Sequence, residues 1–310
     1  MFTKRNCWLC CLAACLGVVF VVAPAAADGP KGTAVIKGKV VFDGTPPRIK
    51  PLIMKADPVC AKAHSKPVAA QSLIVYKKEG NAIPFVFVYV KKGITGKYDV
   101  PKKPVTINQL GCMYHPHVFG MVAGQEMDIL NSDPVNHNIH SLARKNPAFN
   151  FAQPNKGMLK KLVGSNTFTK PEVMVKIKCD VHAWMSCYVG VMKHPFFDVT
   201  KSHLDTDNKA ERGTFEIKGL PAGDYVLEAW HEKFGKVTQK VSVKDGETKE
   251  IVIKLNPKRA QAPSYRTVEL ASAADNPEQT QNDAADAAQA AEGEAESGST
   301  AQSAEPATRE

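Results

Sequence analysis

From residue 213 to residue 256 the chain alternates apolar and polar side chains with a period of two, and each run stops at a turn-forming residue. Phe215 and Ile217 share one parity, and the stretch Leu220-Pro221-Ala222-Gly223-Asp224 follows as a turn. Tyr225, Leu227 and Ala229 then share a parity, as do Val241 and Val243, and, after Asp245-Gly246, Ile251, Ile253 and Leu255. Successive side chains of a strand point to opposite faces, so this spacing gives each strand one face to bury. We read the segment as a meander with tight turns. Helical periodicity is scarce in the rest of the chain, and the expected fold class is all-β.

The other segments fit that class. Residues 33–44 read as strand, glycine kink at Gly38, strand, and a turn at Asp43-Gly44. Residues 48–81 are irregular, and 83–91 form a strongly apolar strand closed by Gly93 and Gly96. Residues 105–131 hold a strand pair around Gly120 and Gly124, and 132–170 are polar and loop-rich. In 172–178, Val173, Val175 and Ile177 share a face, and Cys179 continues that parity; residues 187–193 close the pair. Residues 268–310 contain no aromatic residue and ten acidic residues against one arginine, which predicts a disordered acidic tail.

Residues 1–27 have the form of a signal peptide: Lys4 and Arg5, an apolar stretch from Cys7 to Val22, and the small residues Ala25 to Ala27 before Asp28. Two alternatives stand beside it, a lipid anchor at Cys15 within Leu12-Ala13-Ala14-Cys15 and an uncleaved anchor. All three expect a periplasmic or extracellular body, where disulfides persist. There is one long apolar run and no second, which excludes a multi-spanning membrane protein. The apolar content of 44% excludes wholesale disorder. The net charge of +9 includes the acidic tail, so the body is strongly basic and suits anionic partners. An acidic redox protein or an anionic envelope surface is the expected partner class, and nucleic acid is not.

Three histidine-containing clusters carry the chemistry. The first runs from Asn131 through Asp133 to His137, Asn138 and His140; the second is Cys179, His182 and Met185; the third is Cys112, His115 and His117. In the second, a thiol, an imidazole and a thioether follow one another at intervals of three on one short loop between strands. Soft sulfur with imidazole suits copper better than zinc. A further imidazole, His137, stands 42 positions before Cys179 and would complete a His₂Cys set with a weak Met. Two other readings of the same residues are open: Cys179 as half of a disulfide with His182 and Met185 merely packed, and a structural zinc site.

The order strand, Asn-x-Asp, His-Asn, then strand and Cys-x-x-His-x-x-Met resembles the cupredoxins, or blue copper proteins of the amicyanin/plastocyanin-like kind, with the short ligand loop of amicyanin-like members. The resemblance covers about residues 105–197 and implies a Greek-key sandwich, the copper module, over 105–200. It implies one type 1-like copper ion bound by His137, Cys179, His182 and Met185, with Asn138 tying the two ligand loops together. One of the two imidazoles is expected to be exposed as the electron port. The chain departs from the family pattern in Asp180-Val181, in the long 141–170 loop, and in the nearby His117 and His140, which are candidate additional metal ligands. Cys179 and Cys187 are eight apart, which excludes the binuclear copper centre of oxidases. His115, His194 and His231 read as hydrogen-bonded or solvent-facing.

With Cys179 as a ligand, three body cysteines remain and one stays unpaired. Cys60–Cys112 is the expected disulfide, with Cys112–Cys187 as the alternative. The flanks carry a second resemblance. Gly38 to Pro46, Val88 to Val90 and Gly213 to Tyr225 look like a carboxypeptidase regulatory-like β-sandwich, split into 33–104 and 201–256 around the copper module. Such modules are structural or adhesive, and a fold does not supply a function. The function expected is electron transfer by an exported mononuclear copper protein, not catalysis. The alternatives are copper storage or delivery, a cell-surface or polysaccharide-binding module with a degenerate site, and a copper enzyme with an open coordination position.

Overall fold

Sixteen strands and one short helix arrange themselves into four sheets in the computed structural model, which describes residue 29 and residues 31–257. The expectations for the signal segment 1–27 and the tail 268–310 lie outside the described residues. In chain order the elements are β1 (Ala34–Phe42), α1 (Pro58–Lys62), β2 (Phe87–Lys92), β3 (Val105–Gln109), β4 (Tyr114–His115) and β5 (Val118–Val122). Then come β6 (Met127–Asn131), β7 (His137–Ser141), β8 (Asn150–Gln153), β9 (Leu159–Leu162), β10 (Glu172–Lys178) and β11 (Ser186–Met192). The last five are β12 (Phe197–Val199), β13 (Thr214–Leu220), β14 (Gly223–His231), β15 (Gly235–Val243) and β16 (Thr248–Leu255). The protein is nearly all β.

Sheet membership follows position in the chain. The orders β13-β1-β16 and β12-β2-β14-β15 use strands from the two ends of the described chain. The orders β5-β11-β10-β7-β8 and β4-β3-β6-β9 use only β3 to β11. β12, at residues 197–199, pairs with Phe87 to Tyr89 of β2 and so belongs with the flanking sheets. Among the described residues all four sheets lie in one compact unit.

Side-chain parity shows how the sheets stack. On β2 every residue from Phe87 to Val90 is buried. Val88 and Val90 enter one core with Ile36, Phe215, Leu227 and Ile253. Phe87 and Tyr89 point the other way, into a second core with Val118, Tyr188 and Trp230. β11 divides in the same manner: Cys187, Val189 and Val191 join Ile107, Ile129 and Ile177 in a third core, while Tyr188 and Met192 face Phe87. An uninterrupted apolar run on a strand therefore marks a sheet covered on both faces. Two sandwiches meet through the sheets that carry β2 and β11.

That meeting is close because the paired residues Gly120 and Gly190 leave room for rings. A Cβ on Gly190 would stand 2.3 Å from Phe87 Cζ, and one on Gly120 would stand 2.3 Å from Phe197 Cε2. A buried contact between the His117 ring and the Glu232 carboxylate lies at the same junction.

The structure corrects four local expectations. Residues 213–256 are not a meander: β14 and β15 form a hairpin in one sheet, whereas β13 and β16 flank β1 in another, β16 running parallel to it. Turn signals report where strands end and not which strand comes next in a sheet. Gly38 is not a kink, since β1 passes through it; it is needed because a Cβ there would stand 2.6 Å from the Phe215 ring. The 105–131 segment holds four strands in place of two. The 132–170 segment contains β7, β8 and β9; β7 is buried but mostly polar in sequence, and β8 and β9 are mostly exposed, so none of them shows an apolar alternation.

A candidate metal centre

The site forms where β7 and β10 lie side by side. Lys178 of β10 pairs with His140 of β7, which brings Cys179, just beyond β10, beside the start of β7 and its first residue, His137. The chain then curls back: Cys179 N–H donates to the Met185 carbonyl at 3.1 Å, and Met185 N–H donates to the His182 carbonyl at 2.9 Å. A spacing of three inside that curl turns Cys179, His182 and Met185 inward, where all three are buried.

Three donor atoms converge. His137 Nδ1 is 3.0 Å from His182 Nδ1, and Cys179 Sγ is 3.8 Å from the same His182 nitrogen. All three donors lie within 4.8 Å of one another. Met185 packs in the same core as Cys179. The donor set of one thiol and two imidazoles fits copper, and the charge balance invites a cation. Burial works against a Cys179 thiolate, but the neighbouring His137 and the backbone N–H groups of Asn138, His182 and Val181 outweigh it, holding the thiol below its ordinary range. Burial likewise opposes a charge on His137, yet Asp133 and Cys179 raise its pKa above the ordinary value.

Asn138 joins the two loops. Its Oδ1 accepts Asp180 N–H at 2.5 Å, and its Nδ2 donates to Asp180 Oδ2 at 3.0 Å and Asn150 Oδ1 at 2.7 Å. His140 is not among the converging donors; its Nδ1 lies 2.9 Å from Asp180 Oδ2. His117 is placed at the junction of the two sandwiches, where its two ring nitrogens face the Ser186 carbonyl and Glu232. Cys60 and Cys112 are bonded to each other, while Cys179 and Cys187 are free and buried. That pairing leaves neither Cys179 as half of a disulfide nor Cys112 joined to Cys187.

One expectation is overturned. Neither imidazole is an exposed port: His137 is 0% and His182 2% exposed. The segment read as irregular covers His182, whose Nε2 lies 3.1 Å from Asp57 Oδ2 and 3.6 Å from Cys60 Sγ. Asp57 caps α1, which carries Cys60. The Trp184 ring, half-buried, lies 5.0 Å from that of His182 and donates its N–H to the Cys112 carbonyl at 3.0 Å.

Several contributors carried no assigned role in the sequence. Asp133 stands four residues before His137, with Oδ2 2.9 Å from its Nε2. Tyr114 O–H donates to the Asn138 carbonyl at 2.5 Å; burial first, and then Cys179 and Cys187, push its pKa up. The Asp-Pro pair at 57–58 is a recognisable helix start, a signal that was available. The 125 positions between Asp57 and His182 gave no local pattern to connect them.

No protein-family model matches the chain, and no curated protein does. Among solved structures, a Cu-containing nitrite reductase from Thermus scotoductus SA-01 is similar over 31% of this chain and 24% of its own, at 21% identity and a TM-score of 0.25. The chain thus spans about a quarter of that reductase. A purple cupredoxin from Nitrosopumilus maritimus is similar over 28% of this chain and 98% of its own, at 23% identity and a TM-score of 0.24. A methionine-to-alanine mutant of amicyanin, in its Cu(I) form, is similar over 30% of this chain and 86% of its own, at 18% identity and a TM-score of 0.25. No helix among the described residues is long and apolar enough to cross a membrane.

Proposed function

We propose that the protein is an exported mononuclear copper protein that carries electrons to or from a redox partner, with His137, Cys179, His182 and Met185 as the ligands. The observation that carries this reading is the convergence of the Cys179, His137 and His182 donors within 4.8 Å in a buried pocket of a β-sandwich. Bound copper would supply one-electron chemistry. Cys179 contributes the soft thiolate, the two imidazoles add borderline donors, and Met185 adds a weak thioether. The strands and the Asn138 bridge hold these groups in place before metal arrives, so the site changes little between redox states. Burial of every donor favours a carrier over a catalyst, since a reactant would need an open path to the metal. The basic body suits an acidic redox protein or an anionic envelope surface. The outer sandwich, read as carboxypeptidase regulatory-like, would be a supporting module.

The visible and EPR spectra of copper-loaded protein test the reading. One copper per chain with an intense thiolate-to-copper band is expected, and Cys179→Ser should lose the band because a hydroxyl does not replace a thiolate. Several coppers per chain without that band would favour storage instead. A Cys179→Ser protein with the wild-type spectrum would overturn the ligand assignment.

A further inference from the structure

The two imidazoles that face each other are each held from behind by a carboxylate. His137 Nε2 lies 2.9 Å from Asp133 Oδ2, and His182 Nε2 lies 3.1 Å from Asp57 Oδ2. An ionised carboxylate only accepts, so each Nε2 must carry the hydrogen. A neutral imidazole has a single N–H, which leaves both Nδ1 atoms bare. Those are the two atoms 3.0 Å apart beside Cys179 Sγ.

Each carboxylate is anchored in turn to one half of the cystine. Asp57 Oδ1 accepts the N–H groups of Val59 at 2.8 Å and Cys60 at 3.2 Å. Asp133 accepts the N–H groups of Gly111 and Cys112, both at 2.7 Å. Gly111 and Cys112 have φ values of 63° and 55°, and the turn they make points both N–H groups at the one carboxylate. Cys60 and Cys112 are then joined by their disulfide. The path His182, Asp57, Cys60, Cys112, Asp133, His137 closes behind the donor atoms.

We propose that Asp57 and Asp133 are positioning residues for the metal ligands, and that the Cys60–Cys112 cystine ties them into one brace that dictates which nitrogen each imidazole turns to the metal. The proposal rests on the copper reading for its purpose, but the tautomers it sets belong to the metal-free protein. The brace also explains why His182 is closed off: its Nε2, the nitrogen turned away from Cys179, is held by Asp57 beneath α1.

Nitrogen-15 NMR of the imidazoles in the metal-free full chain, at a pH where both are neutral, tests the brace. The wild type should show His137 and His182 as Nε2–H tautomers. Asp57→Ala should mix the tautomers of His182 alone, and Asp57→Asn, which keeps an acceptor, should restore the single form. The double variant Cys60→Ser/Cys112→Ser should loosen both rings. Copper affinity of Asp57→Ala should fall roughly tenfold to a hundredfold, with partial recovery in Asp57→Asn. An Nδ1–H tautomer at either histidine in the wild type, or unchanged tautomers in Asp57→Ala, would overturn the proposal. Nε2–H tautomers in a protein with no thiolate-to-copper band would uphold the brace and defeat the copper reading. A strong band with mixed tautomers would do the reverse.

Discussion

His231 is a histidine that the fold keeps neutral. Its Nδ1 accepts the N–H groups of Lys233 at 3.2 Å and Phe234 at 3.1 Å, and its ring stacks on Phe234. Burial lowers its pKa to about 4. Unfolded histidine titrates near 6.5, so between about pH 6.5 and 4 the unfolded chain binds the extra proton and the folded chain does not. Stability should therefore be full above pH 6.5 and fall as the pH drops toward 4, by about 3 kcal/mol from this residue. Urea midpoints measured across that range should show the loss, and His231→Gln should flatten part of it; an unchanged slope in that variant would remove His231 as the cause. At the proposed copper site, Met185→Leu should leave copper bound and shift its reduction potential, because a thioether is a weak ligand and leucine fills similar space. Voltammetry of the loaded variant checks this, and loss of the metal would make Met185 a primary ligand. The ligand loop could be read from sequence because Cys179, His182 and Met185 are local to one another. Asp57 could not, because its partner is brought to it only by the tertiary fold.

At the scale of elements, the junction between β2 and the β5–β11 pair is decided by volume. Gly190→Ala would press a methyl group against the Phe87 ring. Interiors are close-packed, so overfilling of this kind should cost about 1–3 kcal/mol. Phe87→Leu in the Gly190→Ala background should recover part of it, a coupling that a double-mutant cycle in urea would reveal. Strictly additive losses would mean that the two residues do not meet. Strand existence was legible wherever one face is apolar, as in 172–178 and 213–256. It was missed in β8 and β9, which show mostly exposed residues and so lack the alternation that burial imposes. Sheet order was not legible at all, because β1 chooses β13 and β16 by packing across the outer core and not by nearness in the chain.

For the whole molecule, charge governs encounters. A basic body should exchange electrons faster with an anionic reagent than with a cationic one, and the preference should shrink as salt rises. Between roughly 10 and 150 mM salt the screening length falls from about 30 to about 8 Å. Stopped-flow oxidation by ferricyanide over that range should slow markedly; a salt-independent rate would place the reactive face away from the lysine-rich surface.

The placement of β1 and β2 ahead of the inner strands, with all their strand partners behind them, has a consequence for how the protein is made. A chain emerging from its N-terminus delivers Ala34–Phe42 and Phe87–Lys92 first, then everything that β3 to β11 need, and only afterwards β12 to β16. At roughly 5–20 residues per second, the hundred or so residues between β2 and β12 take about 5–20 s to appear. Throughout that interval the buried run Phe87–Val90 has no strand partner, and the sheets built from β3 to β11 are complete only when β11 has emerged, just ahead of β12. The face they then offer, with Val118, Tyr188 and the glycine pair Gly120 and Gly190, is the one against which Phe87 packs, so the strands made last in the chain's middle complete the bed for a strand made long before them.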